Sequence, residues 1–378
     1  MQQLAGPWLV YRLVRDQPNA ALILSLVGFV SVLPAIPLSL LAGPLIDRVP
    51  RRPLLIACQL GLFAPPIGVA VLIWTGRVQV WHIIVAELLR GAILAIDQPA
   101  KQSALVDMTG KEDVGSALGL WSSANSLTRV LGPILGGAIV TWAGEGWCFF
   151  LNGVSYLAVV ASLLAIRLPD STPAARRSSL ASSLVDGLKY MLRERLILVL
   201  TSLVVVAGLL VQPFQTPNLL PVFATALLGA DALRLGVLTA SAGAGAVLGG
   251  LGAASLSTRS QQRFSVIASL VLPLAAAAFA FSRSFVLSCG LLLAVGALIM
   301  SLEIAVNSLI LTRVRDEFRG RVVSVFMAAV MGAPRLGGLQ TGWLVGQMGA
   351  PLALAAGAGL SLVYSLLVSS VFLARRKR

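Results

Sequence analysis

Eleven stretches of roughly twenty or more apolar residues limit what this chain can fold into more than any other feature. They fall at 20–46, 53–75, 79–103, 114–141, 147–167, 197–225, 232–257, 264–282, 284–311, 321–346 and 351–374. A helix needs about 20 apolar residues to cross the hydrocarbon of a bilayer. Lipid offers backbone groups no water to bond, so such a chain crosses as helices that satisfy their own backbone. The expected fold is an all-α membrane protein with eleven full spans. Met1–Val14 is apolar too, yet it covers only about 20 Å at ~1.5 Å per residue, half of a further helix. Apolar residues make up 57% of the chain and charged ones 12%, against about 45–50% and ~25% in soluble domains. A globular enzyme is excluded.

The basic residues set the orientation. Of 29 Lys and Arg residues, 21 lie in one alternating set of connections and in the C-terminal Arg375-Arg376-Lys377-Arg378. The opposite connections hold only Arg12, Arg15, Arg77, Arg234 and Arg283. Cytoplasmic loops carry the excess of Lys and Arg, so the C-terminus and the loop before Arg51 are expected on the cytoplasmic side of the cell (inner) membrane. Trp74, Trp81, Trp142, Trp147 and Trp343 fall at the opposite helix ends, where an interfacial aromatic belt belongs. A net charge of +14 would suit nucleic acid in a soluble protein. Here it is confined to short turns, which removes that partner. Residues 168–195 are the one long polar interruption, with Pro169, Pro173 and several serines. They read as a cytoplasmic linker between halves 1–167 and 196–378. An amphipathic stretch near 184–192 is expected on the inner membrane surface.

Residues for covalent or metal chemistry are scarce. Cys58, Cys148 and Cys289 are widely separated, and His82 is the single histidine. No metal or disulfide spacing results. No G-x-x-x-x-G-K-[ST] loop is present, so ATP does not drive the protein directly. No cofactor is implied.

The two halves resemble each other. Aligned at a constant offset of 205, Ala100–Gly144 and Ala305–Gly349 share ten identities over 45 positions without a gap. Four are glycines: Gly115/Gly320, Gly132/Gly337, Gly137/Gly342 and Gly144/Gly349. Small residues at helical spacing let membrane helices approach closely.

Gly43, Leu45, Asp47, Arg48, Arg51 and Arg52 form a charged turn between two apolar runs. Their spacing resembles the G-x-L-x-D-R-x-G-R-K loop of the major facilitator superfamily, with Pro50 in place of the second glycine. Ala95-Ile96-Asp97-Gln98-Pro99-Ala100-Lys101-Gln102 and Phe149-Phe150-Leu151-Asn152 are similar to stretches of its macrolide and enterobactin exporter branch. So is Phe318-Arg319-Gly320-Arg321-Val322. Asn125, Arg129, Leu131, Gly132, Pro133, Gly136 and Gly137 resemble the fifth-helix glycine-proline motif of exporters. The resemblance covers nearly the whole chain. It implies the major facilitator fold, two pseudo-symmetric six-helix bundles around a central cavity. Pro7-Trp8-Leu9-Val10-Tyr11 resembles the outer half of that fold's first helix, and about 25–30 residues expected before it are missing. A first helix without its start would leave a non-transporting protein as one alternative.

Charged residues inside a bilayer are costly and need a partner or a wet cavity. Arg90, Arg129 and Arg335 fall near the middle of their runs, with Glu87 one turn from Arg90. Asp97 and Glu303 sit toward the cytoplasmic ends of corresponding helices. Each acid is a proton site by one reading. Asp97, close before Pro99, is a cap for freed backbone amides by the other. Asn125, Asn152, Gln212, Gln215, Asn307 and Gln340 are polar groups that line the cavity or bond between helices. The resemblance assigns gating to Gly43, Asp47, Arg48, Arg51 and Arg52, with Asp47 meeting the eleventh helix near Arg319 or Arg321.

Together these features imply a monomeric secondary transporter with a small-molecule substrate, working by alternating access. The cargo expected is an amphiphilic or anionic compound of the drug, macrolide or siderophore type, exported as protons enter. A lipid or lysolipid flippase is the other reading within transport.

Overall fold

The computed structural model describes residues 1–34, 38, 49–166 and 180–374. Gly43, Asp47 and Arg48 lie outside them. The described residues form thirteen α-helices: α1 Gln2–Val14, α2 Ala20–Val30, α3 Arg51–Trp74, α4 Val80–Ala143, α5 Glu145–Ala165, α6 Leu180–Arg193, α7 Arg195–Leu210, α8 Leu220–Leu228, α9 Ala232–Ala254, α10 Thr258–Phe281, α11 Phe285–Arg313, α12 Asp316–Met348 and α13 Ala350–Ala374. Eight segments among them are long and apolar enough to cross a membrane. The expected eleven are not all reached as single long helices. The run at 20–46 is described only in part. The run at 197–225 breaks after α7 into a 3-10 turn, Gln212–Gln215, and the short α8. Pro213, Pro217 and Pro221 account for that break, since each removes a backbone donor.

The runs at 79–103 and 114–141 are joined in one helical stretch, α4, of 64 residues. A straight helix of that length would span roughly 96 Å. Its two ends instead lie beside one residue. Val80 follows Trp74 after a five-residue connection, and Gly146 abuts the Trp74 indole. Ala100 and Ala104 pack at the far end, against Leu55 and Leu163. The stretch therefore doubles back beyond Ala104, and its second part, Asp113–Ala143, is one of the eight apolar segments.

The chain divides into two compact units. The first takes the described residues of Met1–Arg15 and Leu26–Arg177, the second those of Asp16–Ser25 and Ser178–Arg378. In the first, α3 packs on α4 and α5, and α1 lies against both. In the second, α11 packs on α9 and α10, α10 on α13, and α12 on α6 and α7. Asp16–Ser25 joins the second unit because Gly342 of α12 lets it approach. A Cβ there would lie 2.7 Å from Ala21 O.

Glycines set the closest approaches. Gly245 and Gly249 of α9 lie against the Leu293 and Ala297 carbonyls of α11, and Gly296 of α11 lies against Ala242. Gly252, three residues beyond Gly249, faces open space. The repeat is visible in the backbone. Gly144 ends α4 at φ 88°, ψ 167°, and its counterpart Gly349 ends α12 at φ 83°, ψ 162°. A Cβ is strained there, which explains why glycine stands at both positions.

Candidate functional site

Asp97 of α4 is fully buried. Its Oδ1 accepts a hydrogen bond from Gln59 Nε2 of α3 at 2.6 Å, and its Oδ2 meets Lys101 Nζ at 2.7 Å. A buried carboxylate is tolerated when paired and hydrogen-bonded, and this one is both. The bonds run to side chains, so the expected cap on backbone amides is not its role. Gln59 Oε1 is buried without a partner among the described residues. An amide carries donor and acceptor on one group, so Gln59 can turn its acceptor toward a protonated Asp97. Protonation would also release Lys101, which is partly exposed.

Arg90 is engaged on its own helix, as the one-turn spacing anticipated: its Nε donates to Glu87 Oε2 at 2.9 Å. Arg129 is exposed and has no ion pair among the described residues. Asn125 is exposed and donates to Trp121 O at 3.0 Å, one turn back. Asn152 donates to Gln2 Oε1 and so ties α5 to α1. Gly132 and Gly136 receive the start of α1, and a Cβ on Gly136 would sit 3.0 Å from Met1 Cα. The Cys148 thiol of α5 donates to Gly136 O at 3.4 Å. Pro133 and Gly137 continue this stretch, with Gly137 buried. The glycine-proline motif is a packing surface for two helices.

Both described arginines of the charged turn bind within their own unit. Arg51 pairs with Asp107 and donates to Ser103 O at 3.3 Å. Arg52 donates to Leu163 O at 2.9 Å and to Leu164 O. These are the open carbonyls at the C-terminal end of α5, where a cation is favoured.

In the second unit, Gln212 opens the 3-10 turn after α7, and its Nε2 lies 3.5 Å from Glu303 Oε1 of α11. With Gly208 and Leu302 they line a narrow crevice of about 10 Å³, room for about one water. Gln215 Oε1 and Asn307 Oδ1 are buried with no partner among the described residues. Arg335 is exposed and donates to Met331 O at 2.8 Å, and Gln340 is exposed. Arg319 pairs with Asp316, and Arg321 reaches Asp186 of α6 at 2.9 Å. The site residues therefore gather into local groups: Gln59–Asp97–Lys101, Glu87–Arg90, Gln212–Glu303 and Asp186–Arg321. Sequence reasoning missed Gln59, Lys101, Asp107 and Asp186 as partners. Lys101 alone carried a signal, four residues after Asp97.

Comparison with known proteins agrees with this architecture. The family model described as transmembrane secretion effector matches residues 1–377. The multidrug efflux pump Tap of Mycobacterium tuberculosis is 25% identical over 357 residues, covering 92% of this chain and 83% of that protein. The staphyloferrin A transporter of Staphylococcus aureus is 24% identical over 208 residues, 53% of this chain and 50% of that one. Among solved structures, a bacterial homologue of the human lysosomal transporter Spinster, inward-facing and unoccupied, is similar with a TM-score of 0.73. It is 14% identical, over 99% of this chain and 94% of its own. The nucleoside transporter NupG gives a TM-score of 0.74 at 12% identity, over 98% of this chain and 97% of its own. At such identity the likeness establishes the fold alone, that of the major facilitator superfamily. This multi-pass membrane protein belongs to the transmembrane secretion effector family of transporters.

Proposed function

We propose that the chain exports an amphiphilic or anionic small molecule across the cell (inner) membrane, coupled to proton entry, with its C-terminus in the cytoplasm. The observation that carries the coupling is Asp97, a fully buried carboxyl of α4 within the apolar run 79–103, held by one neutral and one cationic side chain. Ionisable groups at membrane depth mark proton and substrate pathways. Protonating Asp97 frees Lys101 and reverses the hydrogen bond with Gln59, a change in contacts that can bias one conformation over another. Glu303 beside Gln212 is the corresponding candidate in the second unit.

The multidrug efflux and staphyloferrin A transport named for two relatives support an organic cargo. Of the three arginines near the middle of their runs, Arg90 is neutralised by Glu87, which weakens the case for an anionic cargo. Arg129 is the residue proposed to meet an anionic group. Two unit-sized halves, 1–167 and 196–378 around the linker 168–195, would alternate access. The proton gradient supplies the energy, a single copy suffices, and neither cofactor nor nucleic acid takes part.

Uptake into inverted membrane vesicles tests this, with ethidium as a cationic probe and carboxyfluorescein as an anionic one. Accumulation that collapses with the pH gradient and is absent in Asp97→Asn is expected. Uptake of a probe indifferent to the gradient would refute the coupling.

A further inference from the structure

We propose that α6 is a docking surface for anionic phospholipid headgroups, joined mechanically to α12. The proposal rests on the chain spanning a membrane and not on its being an exporter. One face of α6 is fastened. Gly187 lies against the Arg321 backbone and Val325, Tyr190 stacks on Phe318 with centroids 4.9 Å apart, and Asp186 holds Arg321. Met191 is buried on this face.

A second face is apolar and uncovered. Val185, Leu188 and Leu192, at i, i+3 and i+7, are each about half exposed. Such a stripe in a soluble protein would invite a partner chain. Here the chain itself sets the depth of the stripe. A single residue, Glu194, separates α6 from the apolar helix α7, and charged Arg193, Glu194 and Arg195 must lie outside the hydrocarbon. The segment of α12 that α6 grips carries Asp316, Glu317, Arg319 and Arg321, which are bound by the same rule. The helix is therefore held at the membrane boundary.

Charge then selects the lipid. Lys189 and Arg193 are exposed and, at 100° per residue, follow the apolar stripe along its free edge, with Arg195 exposed just beyond. Apolar side chains at the acyl boundary beside Lys and Arg at headgroup height are the pattern of a helix lying in the interface. Each such cation favours an anionic surface by about fivefold in affinity. Through Asp186, Tyr190 and Gly187 the occupancy of that surface bears on the first turns of α12.

Hydrogen exchange of the amides of 180–193 tests the proposal on the whole protein in nanodiscs, without any transport readout. Adding phosphatidylglycerol to phosphatidylcholine discs should slow exchange in α6 several-fold. High salt, or the double change Lys189→Gln with Arg193→Gln, should erase the difference. Arg234→Gln should keep it, since Arg234 stacks on Phe285 at the opposite end of α11 from Arg313. Exchange that ignores phosphatidylglycerol overturns the proposal. So does exchange that follows the protein-to-lipid ratio instead, which would mark the stripe as a contact between copies. Either result leaves the exporter reading untouched.

Discussion

Asp97 is the side chain proposed to take up the proton in the first unit. Asp97→Asn keeps the size of the group and a hydrogen bond to Gln59, so the protein should fold and insert while gradient-driven transport is lost. Thermal unfolding in detergent beside vesicle uptake separates the two effects. Gln59→Leu should do the opposite in part, leaving a buried acid with one partner fewer at a cost of about 1–3 kcal/mol. Unfolding of that variant against wild type measures it. Arg52→Ala should cost about 0.5–2 kcal/mol, because it removes a cation and its two hydrogen bonds from the end of α5. At this scale the sequence was legible where partners are local. Glu87 and Arg90 are one turn apart, and so are Asp97 and Lys101, within hydrogen-bond or ion-pair reach. Gln59 is 38 residues from Asp97, and no local pattern announces such a contact. Asn125 and Asn152 read as cavity polar groups, yet one bonds its own helix and the other bonds α1. A lone amide in an apolar run looks the same in either role.

The helices follow the apolar runs because burial in lipid demands it, and their ends depart from the runs where the backbone has its own reasons. Three prolines broke the run at 197–225, and that was readable. The helical continuity of α4 through 104–113 was not, because nothing in a polar connection forbids helical hydrogen bonds. The α9–α11 contact offers a direct test of glycine packing. Gly249→Ala puts a methyl against Ala297 O, and overpacking of this kind costs about 1–3 kcal/mol. Gly252→Ala, three residues on and facing open space, should be neutral or stabilising by up to ~1 kcal/mol. Denaturation midpoints of the pair in one detergent check both, and equal losses would dismiss the packing argument. The shared positive-φ glycines Gly144 and Gly349 show what the sequence repeat preserves: a way of ending a long helix, more than a set of side chains.

For the molecule as a whole, the apolar runs made the fold class legible, and the charged turn and glycine-proline stretch pointed to the family. The energy source rests on fewer atoms. The account stands or falls on whether cargo movement and proton movement are one process. Purified protein in liposomes, with an imposed pH gradient and internal pH followed beside ethidium or carboxyfluorescein, measures both at once. The account predicts that wild type dissipates the gradient faster when a transported probe is present, and that Asp97→Asn does neither. Probe movement with no matching proton flux, or an unaltered flux in Asp97→Asn, would contradict it.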